Sequence, residues 1–396
     1  MQTDEAKGDD FFSSLFRTIQ QPKSLVETEE ERLRRLRRER LATIEAGEVR
    51  RANRVSEDKY AYFLIFALQF MPLLGNGKLE SLLYFYGVAV TTVYLGGRQE
   101  TIEQAERVSR DNALFAPVFA SFSIGGLYLL LKNGIDITAL YAVVVTLFGA
   151  ISISDIGVPV LRNLLPGVDF ANAEVPLPKA ITQKFKLDDE DALPLDGLIT
   201  LGLGLLCTAV YWSPLVMEQK FIVSNILAWS LGMASLGAIS LGSFQTGAIL
   251  LGGLFFYDAF WVFGSDVMMT VATKVEAPVK FIFPAPDSDI VRDYNFSVLG
   301  LGDLVIPGLF VRLMAKADEA LNPAKFSYFN TAVLAYAFGL GACFTANAIF
   351  QNGQPALIYL DPSLVGSALA CASANGQLTE LWDFQEELDE EQENKN

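Results

Sequence analysis

The chain has 396 residues, 51% hydrophobic and 19% charged, with 30 Lys+Arg against 46 Asp+Glu, no His and a net charge of −16. Without histidine there can be no Ser-His-Asp triad, no Cys-His dyad and no His-ligated zinc or haem, so acid–base chemistry falls to Asp, Glu, Tyr, Lys or Cys. The negative balance, with no basic stripe across the apolar part, argues against nucleic acid as a partner. The three cysteines, Cys207, Cys343 and Cys371, each lie in an apolar run without metal-ligand spacing. They read as small buried hydrophobes, and no metal or cofactor is called for.

Residues 1–59 hold 13 of the 30 basic residues, mixed with many acids. Leu33, Leu36, Leu41 and Ile44 recur among them at helical spacing, which predicts a charged, partly amphipathic helix over about 27–55 in an otherwise solvated arm. Attraction of this arm to anionic lipid headgroups is the functional alternative. Abundant acids disfavour a transit peptide, and no apolar core near Met1 suggests a signal peptide.

From residue 60 the apolar residues come in runs: 60–75, 79–97, 114–132, 135–154, 193–212, 221–241, 243–263, 295–315, 327–350 and 354–373. A helix needs about 20 largely apolar residues to cross a bilayer. Nine runs meet or approach that. The run 60–75 is short and carries Pro72, so it can span, re-enter or lie at the interface. The predicted fold is an all-α polytopic bundle of nine core transmembrane helices, with one extra N-terminal apolar helix if 60–75 spans. The expected domains are a charged arm over 1–59, an extra apolar segment over 60–78, a membrane core over 79–373 and an acidic tail over 374–396.

Flanking Lys and Arg set the orientation. The face holding the 98–113 loop collects eleven of them, from Arg98 to Lys395, against five on the other face (Lys132, Lys220, Lys274, Lys280, Arg292). The richer face, with the C-terminus, is expected to be cytosolic. Ten crossings would bring the Arg-rich arm to the same face. The tail from Gln377 is strongly acidic and reads as disordered.

An ionisable residue inside a membrane helix is expensive and marks a functional site by default. Asp258 lies in Phe255-Phe256-Tyr257-Asp258-Ala259-Phe260 and Asp303 in Gly300-Leu301-Gly302-Asp303-Leu304. If both runs are antiparallel helices, the two acids differ in depth by about 5 Å. Two carboxyls in contact cannot both ionise cheaply and share one proton. The charged member can activate water while the neutral one protonates a carbonyl, with no histidine or metal. Spacing alone leaves open two unrelated buried acids or a proton-coupled transporter. Gly300 and Gly302 would let another backbone approach Asp303.

A third element is Gln354-Pro355-Ala356-Leu357, followed by Pro362. Proline removes a donor and disfavours helix before it. Irregular backbone at membrane depth is tolerated only where it lines a cavity or packs on protein.

Together these residues resemble the signal peptide peptidase family, intramembrane aspartic proteases related to presenilin. The motifs are Tyr257-Asp258, Gly300-Leu301-Gly302-Asp303 and Gln354-Pro355-Ala356-Leu357, supported by Phe260-Trp261-Val262-Phe263-Gly264, Glu276-Ala277-Pro278-Val279-Lys280 and Phe283-Pro284. The resemblance covers about 79–373. It implies nine core helices, a cytosolic C-terminus and residence in the endoplasmic reticulum membrane. It implies cleavage of signal peptides or type II membrane segments within the bilayer, with Asp258 and Asp303 catalytic and the Pro-Ala-Leu turn shaping the site and engaging substrate. Tyr257 is expected to line a polar cavity that brings water. A homo-oligomer stays open, as does a non-catalytic chaperone on the same fold.

The arm, the 60–75 run and Asp361 depart from the family pattern, which is usually apolar at the last position. The tail also lacks a dilysine retrieval signal. Within 264–294, the stretches 270–275 and 279–283 alternate and are β-branched, which predicts short strands. One of them, or the backbone at Pro355–Leu357, is expected to pair with extended substrate.

Overall fold

The computed structural model describes residues 47, 49–75, 77–99, 106–134, 137–165, 168, 170, 174–176, 192–214, 217–265, 267, 271, 275, 277–284, 296–350 and 353–386. The chain divides after Gly47, and the architecture is that of the unit from Glu48 onward. Most of the charged arm therefore lies outside the described residues.

Residues 49–57 are helical and are not simply a solvated end. Arg51 is buried, and its guanidinium donates to Asp155 Oδ1 at 2.9 Å and to the Asp155 carbonyl at 3.0 Å. Two short helices follow, α1 (Lys59–Leu68) and α2 (Met71–Leu74). Pro72 sits in the first turn of α2, where its missing N–H is no loss. The 60–75 run is thus a broken helix. It lies along α3 (Lys78–Gly97): Arg98 and Tyr94 bond Asp58 at one end, and Tyr84 donates to Gln69 further along.

The remaining elements are β1 (Glu106–Arg107), α4 (Arg110–Lys132), α5 (Thr138–Leu164), β2 (Glu174–Pro176), β3 (Ala192–Pro194), α6 (Leu195–Tyr211), α7 (Met217–Ala238), β4 (Ile239–Ser240), α8 (Phe244–Gly264), β5 (Lys280–Pro284), β6 (Phe296–Gly300), α9 (Gly302–Leu321), α10 (Tyr328–Phe350), α11 (Leu357–Asn375) and α12 (Leu378–Trp382). Among the described residues, seven helices are long and apolar enough to cross a membrane: α3, α4, α5, α7, α8, α10 and α11. α6 is a shorter apolar helix, and α9 ends in Lys316, Asp318 and Glu319. Each of the nine expected core runs contains a helix among the described residues, seven of them long and apolar enough to span.

Phe122, Phe256, Leu334 and Phe338 are each more than 70% exposed. So broad an apolar exterior suits a lipid surround rather than water. Inside, Tyr84, Phe281, Phe283, Phe310, Tyr328 and Tyr336 are fully buried, and the strand pair β5–β6 packs against α3, α7 and α9. Small residues let the helices close up. Gly204 of α6 meets the Ala150 backbone of α5, and a Cβ on Gly339 of α10 would lie 2.9 Å from the Tyr359 carbonyl of α11.

Three expectations change. The run 295–315 is not one helix. Phe296–Gly300 pairs antiparallel with Lys280–Pro284, Lys280 opposite Gly300 and Pro284 opposite Phe296, and the helix starts at Gly302. Of the two expected strands, 279–283 is largely β5. At Val271 the chain is helical, and the Val275 amide donates to its carbonyl at 3.0 Å; 270 and 272–274 lie outside the described residues. Finally, the first part of the tail, 377–386, is structured. α12 buries Leu381, Phe384 is also buried, and Ser243 bridges Gln385. These apolar residues dock the segment despite its acidity, and Arg107 and Ser240 hold Glu386.

Candidate active site

Asp258 belongs to the inward face of α8, with Gly247, Leu250, Leu251 and Leu254 at helical spacing. It is 3% exposed. Its Oδ2 accepts a hydrogen bond from the Leu357 backbone N–H at 3.0 Å. Leu357 is the first residue of α11, where backbone N–H groups have no partner within their own helix. Asp258 therefore caps α11 from a neighbouring helix, and a negative charge there is favoured by the helix dipole. Pro355, Ala356 and Leu357 are all buried, so the turn packs on protein. Gln354 accepts from the Tyr359 hydroxyl at 3.1 Å.

Asp303 is the second residue of α9, half-buried in its first turn. The strand-to-helix switch places it there. The Leu301 amide donates to the Val279 carbonyl at 3.0 Å, and the Val305 amide to Leu301 at 2.9 Å. Gly300 and Gly302 flank the switch. A Cβ on Gly300 would sit 3.6 Å from Asp303 Oδ2, and one on Gly302 would meet open space. The β5 backbone closes on Gly300, which pairs with Lys280, while the side-chain position of Gly302 is open. The Asp258 and Asp303 carboxyls interact electrostatically.

Tyr257 lines a surface groove of about 440 Å³ between α4 and α8 with Pro117, Ser121, Phe256, Phe260 and Trp261. Ser121 and the Trp261 indole bond each other at 3.1 Å. The remaining walls are apolar, which suits an apolar chain better than water. Among the described residues no cluster of acids and cysteines has the geometry to hold a metal ion.

Four features had no signal in the sequence. One is the role of the Leu357 amide, which any residue but proline could play. Another is Tyr336, whose hydroxyl donates to the Asp303 carbonyl at a long 3.4 Å. Asn225 is the third: its side-chain amide donates to the Ile282 carbonyl and accepts from the Ile282 N–H, both at 2.8 Å. It occupies the outer edge of β5. The fourth is Cys343, within electrostatic range of both acids.

A family model described as signal peptide peptidase matches residues 100–388. The chain belongs to the signal peptide peptidase family. The matched span takes in both aspartates and the Pro-Ala-Leu turn. The chain is 33% identical to signal peptide peptidase of Homo sapiens over 323 residues, 79% of this chain and 83% of that protein. It is 33% identical to signal peptide peptidase of Mus musculus over 321 residues, 79% and 82% of the two chains. Intramembrane protease 2 of Caenorhabditis elegans is 36% identical over 197 residues, 46% of this chain and 42% of that protein. With its exposed apolar helices, this member of the signal peptide peptidase family is a multi-pass membrane protein. Family membership also disfavours the transporter reading.

Proposed function

We propose that the chain is an intramembrane aspartic endopeptidase in which Asp258 and Asp303 are the catalytic pair, cleaving transmembrane segments of signal peptides or type II membrane proteins. The observation that carries this reading is the hydrogen bond from the Leu357 amide to Asp258. It ties the Pro-Ala-Leu turn to one acid while that acid interacts with the other. The pair shares one proton. The ionised carboxylate takes a proton from water as the oxygen attacks the scissile carbonyl carbon, and the neutral carboxyl gives its proton to the carbonyl oxygen. Collapse of the gem-diol breaks the C–N bond, the amine leaves with a proton, and the shared proton is restored.

A helical substrate hides its carbonyls in its own hydrogen bonds and must be drawn out before attack. β6 is suited to that. Ile282 lies opposite Val298, and the Ile282 backbone groups point away from β6 toward Asn225. In an antiparallel pair the facing residue then also points its groups outward. Val298 is 40% exposed, so its N–H and C=O offer an edge to an incoming strand. That edge runs into Gly300–Asp303. β5, with β6 on one side and Asn225 on the other, is the poorer candidate. The groove beside Tyr257 is the apolar approach for the substrate. The enzyme is placed in the endoplasmic reticulum membrane, with the 98–113 loop and the C-terminus cytosolic.

The test is direct. The purified chain, reconstituted in liposomes with a doubly labelled signal peptide, should yield two fragments, and a hydroxyl-bearing transition-state analogue should suppress them. An intact peptide under conditions where the chain is folded would overturn the assignment.

A further inference from the structure

Asp361 is a third acid at the same place. It lies on α11 four residues after Leu357, and Leu357, Leu360, Asp361, Leu364 and Ala368 make up that helix's buried face. Residues four apart share a face, so the Asp361 carboxyl projects one turn from the amide that holds Asp258. It interacts electrostatically with Asp258 and then Asp303. It is 3% exposed, and neither of its oxygens has a hydrogen-bond partner within the protein. Titratable groups in electrostatic range of Asp258 or Asp303 include Tyr257 on α8 and Tyr336 and Cys343 on α10. The Tyr336 hydroxyl is already engaged with the Asp303 carbonyl.

Burying a carboxyl without a partner is costly, and burying its anion far more so. Buried polar groups in native proteins find a partner in protein, water or ligand. Asp361 therefore enters the site as a neutral acid, and the negative charge in its range is the one carried by the Asp258–Asp303 pair. We propose that Asp361 is a positioning residue of the active site, whose O–H donates through one water to the Asp258–Asp303 pair and holds its shared charge and attacking water in register. The inference rests on the catalytic assignment of that pair. No bond forms or breaks at Asp361, so the proton count of hydrolysis is unchanged.

Two variants isolate the donor. Asp361→Asn keeps an N–H donor in the same volume, and Asp361→Leu keeps bulk alone. In liposomes with the labelled signal peptide, Asp361→Leu should lower kcat about tenfold at unchanged KM, the scale of one lost hydrogen bond to a charged group. It should weaken the transition-state analogue by the same factor, and Asp361→Asn should stay within about threefold of wild type in both. Unchanged turnover and analogue affinity in Asp361→Leu overturns the inference. So does an Asn variant as impaired as the Leu variant. Asp258→Ala runs in the same assay: if it still cleaves, the catalytic assignment fails, whereas silence there with active Asp361→Leu sinks only the role given to Asp361.

Discussion

The Leu357 amide donates to Asp258 Oδ2 at 3.0 Å across the α8–α11 interface. One bond thus does two things. It caps the start of α11, and it fixes the orientation of the carboxylate proposed to be catalytic.

Pro355 lies two residues before Leu357 and disfavours helix at Gln354, which helps set where α11 begins. Replacing Pro355 with Ala should let the helix start earlier and shift the amide. Turnover of the labelled peptide should fall while the thermal midpoint changes little. Cleavage at the wild-type rate would show that the turn does not govern Asp258.

The edge of β6 at Val298, unpaired among the described residues, predicts a backbone effect. Val298→Pro removes one outward N–H and should lower kcat/KM about tenfold, the scale of a lost hydrogen bond in a water-poor site. Val298→Ala keeps that N–H and should stay close to wild type. Equal activity in the two variants would rule out strand addition at this edge.

Asn225 is fully buried and satisfies both backbone groups of Ile282. Asn225→Ala leaves a donor and an acceptor unpaired and should destabilise the fold by about 1–3 kcal/mol. Thermal unfolding in detergent measures this, and an unchanged midpoint would mean that water replaces the side chain.

Leu381 of α12 is fully buried, so Leu381→Ala should cost about 2–5 kcal/mol of stability. Unfolding by denaturant checks the docking of this segment. An effect near zero would mean that it contributes nothing to the bundle.

The helices were legible because a run of twenty apolar residues has few other uses, and Asp258 and Asp303 were legible because a charge interrupts such a run. The segment Phe296–Gly300 misled because a short apolar stretch fused with a helical one carries no periodicity to separate them. Its hydrogen bonds come from β5, far back in sequence. The tail misled because its acids masked Leu378, Leu381 and Phe384. The Leu357 amide had no signature at all, since a backbone group has no letter in the sequence. The edge closed by Asn225 is equally a product of tertiary contact.

The central claim is that Asp258 and Asp303 act together. The most direct measurement is cleavage of a membrane-embedded signal peptide by Asp258→Asn and by Asp303→Asn, each purified, reconstituted and matched to wild type in thermal midpoint. The account predicts that each single variant yields no fragments. Substantial product from either one would contradict it.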